Sequence, residues 1–270
     1  MLALEESFQE PPPSESVIGF SVASLSFQDQ ISLMMEWAKG KLSKVVCIAN
    51  VHMLIEAHRD QGFAPILSSA DLITPDGMPL VWMLKLQGVR QQDRVAGLDV
   101  MLALCEKASA DGVSVFFLGS QSVILEQMRA RLEREFPDLK IAGMESPPFR
   151  PMTVAEDEAI VQKLNQSGAG ILFLSLGCPK QEKWMSAHKD RVQMVMIGVG
   201  GVFPVYAGIQ RRAPRVVRLA GFEWLYRLLQ EPQRLWGRYA DTIPIFLWLA
   251  LKQLLSPRKI SAGTKSYSVQ

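Results

Sequence analysis

Four apolar runs of about six residues each, at 44–49, 113–118, 171–176 and 192–197, constrain this chain most. Each is too short for a buried helix, and all but the last lead into stretches with helical spacing. A strand that is apolar on both of its sides is covered on both of its faces, which is the habit of parallel sheets with crossover helices. The pattern predicts an α/β, Rossmann-like parallel sheet with helices on both faces, completed by a helical C-terminal appendage. Shorter strands are expected at 17–22, at Leu72-Ile73 and at 139–143. No internal repeat is detectable.

Local signals place the helices between them. Ser26 with Asp29 three residues on opens a helix to Lys39, and Asn50 ends a strand before a helix to Arg59. A polar loop at 91–97 precedes a helix over 98–110. Ser120 is expected to cap a helix to Phe136, and Thr153 with Glu156 matches a capping box. Several strands end in glycine turns, at Gly119, Gly177 and the Gly198-Val199-Gly200-Gly201 run. Such turns expose backbone N–H groups at helix N-termini, a cradle for phosphate.

One turn carries chemistry. Thr74-Pro75 is expected to stop a short strand, since proline donates no ladder hydrogen bond. Asp76-Gly77 makes a tight turn, and Pro79 then sits in the first turn of an apolar helix. A carboxylate at the carboxyl end of a parallel strand stands where open α/β sheets bind ligands, beside a glycine that leaves room for one. The same Asp76 could instead cap the helix through its side chain. Sequence alone leaves both readings open.

Composition narrows the partners. The 270 residues are 48% hydrophobic and 21% charged, a globular composition with a sizeable core. The three cysteines, Cys47, Cys105 and Cys178, form no C-x-x-C, so no disulfide framework is indicated and a reducing cytoplasm fits. No basic leader with an apolar run marks a signal peptide. The net charge of +2 conceals an asymmetry: residues 209–259 carry 10 Lys/Arg against 3 Asp/Glu, while residues 1–208 carry 18 against 24. An anionic partner is therefore expected for the C-terminal segment alone, and no nucleic acid for the body. Within that segment, 243–255 is apolar with one charge, too short to span a bilayer but suited to an interface, with Trp236, Tyr239 and Trp248 near basic residues. A buried helix pair with solvated arginines fits the pattern equally. The expected organisation is a leader over 1–16, an α/β catalytic domain over 17–208, a basic amphipathic membrane-docking appendage over 209–257 and a flexible tail over 258–270.

Several chemistries lack their motifs. After 192–197 the glycine run places Phe203 where a dinucleotide fingerprint needs its third glycine. There is no Walker motif, no G-x-S-x-G and no H-E-x-x-H; His52, His58 and His188 are scattered. Glu156-Asp157-Glu158 falls in a helix first turn, where acids favour the dipole, so it reads as structural and no metal site is expected. What remains is a carboxylate at a ligand-binding edge, glycine turns and arginines. That set suits group transfer from an anionic diphosphate donor, with the carboxylate deprotonating a hydroxyl and guanidinium groups neutralising the departing diphosphate.

The ordered strings Ala70-Asp71-Leu72-Ile73-Thr74-Pro75-Asp76-Gly77, Arg94-Val95-Ala96-Gly97-Leu98-Asp99, Gly177-Cys178-Pro179-Lys180-Gln181-Glu182-Lys183-Trp184 and Gly198-Val199-Gly200-Gly201-Val202-Phe203 resemble the WecG/TagA/CpsF family of bacterial glycosyltransferases. Arg212-Ala213-Pro214, Glu223-Trp224-Leu225-Tyr226-Arg227-Leu228 and Glu231-Pro232-Gln233-Arg234 extend the resemblance over about 17–240. It implies an inverting transferase without metal or other cofactor. The donor would be a UDP-sugar carrying a hexose or N-acetylhexosamine, of N-acetylmannosamine or glucose type. The acceptor would be a sugar on a polyprenyl diphosphate, in cell-surface polysaccharide or teichoic acid synthesis. It also implies a peripheral protein on the anionic cytoplasmic face of the cell membrane, whose C-terminal appendage completes the site; homo-oligomerisation is left open. Residue by residue, Asp76 takes the general-base position. Asn50, Gly77, Arg94, Gln181, Glu182 and Gly200 fall at substrate positions, and Arg227, Arg234 and Arg238 match appendage arginines toward the diphosphate. Two departures stand out: Ile48 replaces a threonine and Pro204 an aspartate, each removing a polar contact toward the donor sugar. The alternatives are a nicotinamide-dependent Rossmann oxidoreductase and a non-catalytic membrane-associated adaptor of the same fold.

Overall fold

The computed structural model describes residues 11–256. Most of the expected leader and the expected tail lie outside the described residues. The chain opens with an antiparallel hairpin, β1 (Ser14–Val17) and β2 (Phe20–Ala23), turning at Ile18-Gly19. The expected single strand over 17–22 is thus two short ones, and the first begins inside the expected leader.

The main sheet has six parallel strands: β3 (Lys44–Ala49), β4 (Leu72–Pro75), β5 (Val115–Gly119), β6 (Ile141–Glu145), β7 (Ile171–Ser175) and β8 (Val195–Gly198), in the order β4-β3-β8-β7-β5-β6. The strands deep in the sheet are those with unbroken apolar runs. On one face lie α2 (Val51–Arg59), α3 (Phe63–Ser68), α4 (Met78–Leu86), α7 (Val154–Ser167) and α8 (Lys180–Ala187), packed around Leu54, Phe63, Leu174 and Met196. On the other lie α1 (Phe27–Lys39), α5 (Gly97–Asp111), α6 (Ser122–Glu135) and α9 (Val202–Tyr206), around Ile31, Phe117, Phe173 and Phe203. The expected two-sided cover is observed, with Ser26, Asn50 and Thr153 as caps.

Three local expectations shift. β4 runs through Pro75, which pairs with Ala49. It is the edge strand, so the missing N–H costs no ladder bond. Ser120 does not cap α6; it takes a left-handed φ of 65°, and Gln121 stands at the cap without a side-chain bond. The strand expected at 139–143 begins at Ile141.

The C-terminal segment forms α10 (Arg215–Leu219), α11 (Glu223–Gln230) and α12 (Pro232–Leu255). Here α12 is one helix of 24 residues that carries Pro244 in its interior. Its two sides differ. Leu235, Thr242, Phe246 and Ala250 are buried, and Phe246 and Ala250 belong to the core around α2. Trp236, Leu247, Trp248, Leu251 and Leu255 are exposed. Gln253 accepts from Ile18 N at 2.7 Å and donates to Ser16 O at 2.6 Å, fastening the helix to the N-terminal hairpin. The body's core therefore does not end at 208: one side of α12 is part of it. No helix among the described residues is long and apolar enough to cross a membrane.

Candidate active site

The helices after the neighbouring strands β3 and β8 leave on opposite faces, which opens a crevice at their carboxyl ends. Asp76 follows β4 at this edge, its N–H donating to Ala49 O at 2.8 Å. Gly77, not Asp76, is the N-cap of α4, and no side chain caps that helix. The capping explanation for Asp76 thereby falls away, and its carboxylate is left for other partners.

Those partners come from two directions. The loop before α5 is tied to β4 by Val95 N donating to Pro75 O at 2.9 Å, which sets Arg94 beside the turn. Arg94 Nε lies 3.5 Å from Asp76 Oδ1. Its terminal nitrogen donates to Glu223 Oε2 of α11 at 2.7 Å. Arg227, one turn on, reaches the other oxygen of Glu223 at 3.1 Å. Asp99, in the first turn of α5, pairs with Arg212 and lies 3.7 Å from Arg218. Arginines and carboxylates thus alternate across the seam between sheet and appendage.

The charge pattern sets Asp76's proton affinity. Burial pushes its carboxyl up, Arg94 and Arg227 pull it down, and Glu223 and Asp99 oppose them; the balance stands at about 6. Burial also pushes Glu223 up, but Arg227 and Arg94 outweigh it and hold that group below the usual carboxylate range. Asp76 can therefore take a proton near neutral pH while Glu223 stays charged.

Asn50 stands beside this turn; its backbone and Cβ come within ordinary contact of the space a Gly77 side chain would fill. Its own Oδ1 accepts from Met53 N at 3.2 Å. Neither backbone conformation nor packing requires glycine at 77, so its effect is to leave space at the cleft. Across the crevice, Gln181 is buried and accepts from Gly200 N at 3.1 Å, while Ser175 Oγ donates to Gly200 O at 2.6 Å. Gly200 has φ +60, and a Cβ on Gly198 would come within 2.8 Å of Gln181 Nε2. Both glycines serve this packed turn.

Glu182 differs from expectation. It has no exposed surface, and Gln181 Nε2 donates to its Oε1 at 2.7 Å. Burial pushes its carboxyl up to about 7, and its Oε2 has no hydrogen-bond partner. In this arrangement it braces Gln181.

Arg234 and Arg238 lie one turn apart on α12, both exposed. Arg234 pairs with Glu231, and Arg238 acts on His52 of α2, whose ring is already pushed down by burial. Neither pairs with Asp76. Both act with Arg227 and Glu223 on the phenol of Tyr239, which stacks edge-on with Trp224 at 5.9 Å. Sequence reasoning gave Glu223 and Asp99 no role, and Tyr239 only one at a membrane interface. The i, i+4 spacing of Glu223 and Arg227 was a legible signal for one ion pair; the contact to Arg94, 129 positions away, had none.

At the two departures, Ile48 is buried beside Thr74 on the neighbouring strand, whose Oγ1 has no hydrogen-bond partner. Pro204 lies within α9, and its carbonyl accepts from Ile209 and Gln210. Among the described residues, no three His, Cys, Asp or Glu side chains are grouped to hold a metal ion.

Sequence comparison matches residues 15–260 to the model of the "Glycosyl transferase WecG/TagA/CpsF family". The chain belongs to that family. Among curated relatives, it is 34% identical over 208 residues to an N-acetylglucosaminyldiphosphoundecaprenol N-acetyl-beta-D-mannosaminyltransferase of Bacillus spizizenii, covering 77% of this chain and 78% of the relative. A protein of the same description from Bacillus subtilis strain 168 is 30% identical over 214 residues, covering 79% and 81%. Family membership makes the chain a glycosyltransferase, as its motifs imply, and disposes of the oxidoreductase alternative.

Proposed function

We propose that this enzyme moves a hexose or N-acetylhexosamine from a UDP-sugar to a sugar on a polyprenyl diphosphate, with inversion and without a metal. The observation that carries the reading is Asp76 at the strand edge, poised at about 6, with Arg94 3.5 Å away and Arg227 in the same charge network. Asp76 takes the proton of the acceptor hydroxyl as that oxygen attacks the anomeric carbon. The carbon–oxygen bond to UDP breaks on the opposite face, which inverts the centre. Guanidinium groups match the diphosphate oxygens in place of a cation. Asn50, Gly77, Gln181 and Gly200 line or brace the donor side; Arg227, Arg234 and Arg238 face the departing diphosphate. The names of the relatives favour N-acetylmannosamine as the sugar moved and N-acetylglucosamine on the acceptor.

The exposed side of α12, with Trp236, Leu247, Trp248 and Leu251, supports peripheral docking on an anionic membrane, on the cytoplasmic face where nucleotide sugars are available. The test is a panel of UDP-sugars with an N-acetylglucosaminyl lipid diphosphate in excess EDTA, the product anomer read by NMR. Transfer from one donor with inverted configuration is expected. Loss on chelation with rescue by manganese, or retention of configuration, would overturn the mechanism.

A further inference from the structure

Glu223 is the one carboxylate that joins the body's arginine to the appendage's. It is nearly buried, with 16% of its side chain exposed. One oxygen takes Arg94 at 2.7 Å and the other takes Arg227 at 3.1 Å. Arg94 is equally buried and has a second carboxylate in reach, Asp76, at the longer distance of 3.5 Å. One guanidinium therefore stands between two carboxylates, and it is hydrogen-bonded to the one that comes from α11. No residue of α11 is fully buried, and the ion pair to Arg94 ties the helix directly to this site, while Asp99 holds Arg212 and Arg218 of the segment before it.

We infer that Glu223 is a positioning residue for the base: it holds Arg94 off Asp76, so that docking of α11 decides how tightly Asp76 keeps its proton. With Glu223 in place, Arg94 is shared and the Asp76 carboxylate is only partly compensated. Without it, Arg94 closes on Asp76 as a full ion pair, and a carboxylate so paired becomes a weak base. The charged groups facing Asp76 are Arg94 from the loop, Asp99 from α5, and Arg227 and Glu223 from α11; those facing Glu223 are Arg227, Arg94 and Arg212. Removing the Glu223 charge acts in the same sense twice, taking away a repulsive neighbour and releasing an attractive one. The catalytic meaning of this arrangement rests on the proposed role of Asp76; its effect on the titration of Asp76 does not.

The experiment is therefore a titration and not an assay alone. In the full chain with carbon-13-labelled aspartate, the Asp76 carboxyl signal, assigned by its absence in Asp76→Asn, is followed from pH 4 to pH 9. Glu223→Gln should lower its midpoint by about one unit, the low end of what a fully committed opposite charge does. Glu223→Asp, which keeps the charge on a shorter stem, should stay near the parent, and it keeps the question answerable should the glutamine variant misfold. In an Arg94→Gln background, Glu223→Gln should add less, because only the direct repulsion is then removed. A midpoint unmoved by Glu223→Gln overturns the inference, as does an equal shift with and without Arg94. A chain inactive with every UDP-sugar but showing the shift would refute the proposed function and leave the positioning role standing.

Discussion

The sheet and α11 are held by opposite means. In β3, β5, β7 and β8 nearly every residue is buried, and their side chains fill two cores on either face of one sheet. In α11 none is fully buried, and its tie to the sheet's edge runs through Glu223 to Arg94, while Asp99 holds Arg212 in the segment before α10. Apolar burial is insensitive to salt and ligands, whereas ion pairs yield to a competing anion. The rigid half carries the base and the yielding half carries the arginines that a diphosphate would claim. Between them lies α12, one side in the core and the other bare.

The largest expected effect is on the rigid half's chemistry. Asp76→Asn keeps the shape and removes the base, so transfer should fall by roughly 10²–10⁴ while UDP binding by calorimetry stays within a few-fold. Near-normal turnover would erase the functional distinction between the halves. Next comes α12, where adjacent residues separate its two roles. Phe246→Ala should cost about 3–5 kcal/mol of stability by opening a cavity under α2. Leu247→Ala, on the exposed side, should leave the melting temperature in place and weaken binding to anionic vesicles about tenfold. Equal melting shifts for the two would show that α12 has no inner and outer side. Smaller again is Arg227→Ala, which should lower kcat roughly tenfold, the worth of one charge-assisted hydrogen bond to the departing diphosphate. An unchanged kcat would remove that arginine from the diphosphate.

Legibility in the sequence follows the same division. Nearly continuous apolar runs at 44–49 and 171–176 imply burial on both faces, and the sheet followed from them. Ser26, Asn50 and Thr153 act within four residues, so their caps were readable too. Pro75 misled because the rule against proline in a ladder is suspended at an edge, and edge position is a property of the whole sheet. Asp76 was placed by its turn, but its partner Glu223 could not be, since the contact through Arg94 depends on how α11 docks. Glu182 was given a substrate position by resemblance, and its burial could not be read from a polar residue in a polar motif. In α12 the apolar residues run all round the helix, so composition could not say which ones face the core.

The central claim is that Asp76 is a base set to work near neutrality by burial and by the arginines and carboxylates of both halves. The most direct test is the pH profile of kcat/KM for the full chain on a water-soluble diphosphate-sugar acceptor. A base must be deprotonated in the free enzyme, so activity should be full above about pH 7, half-maximal near 6 and tenfold lower for each further unit of acid. A profile flat from pH 5 to pH 8 would contradict it.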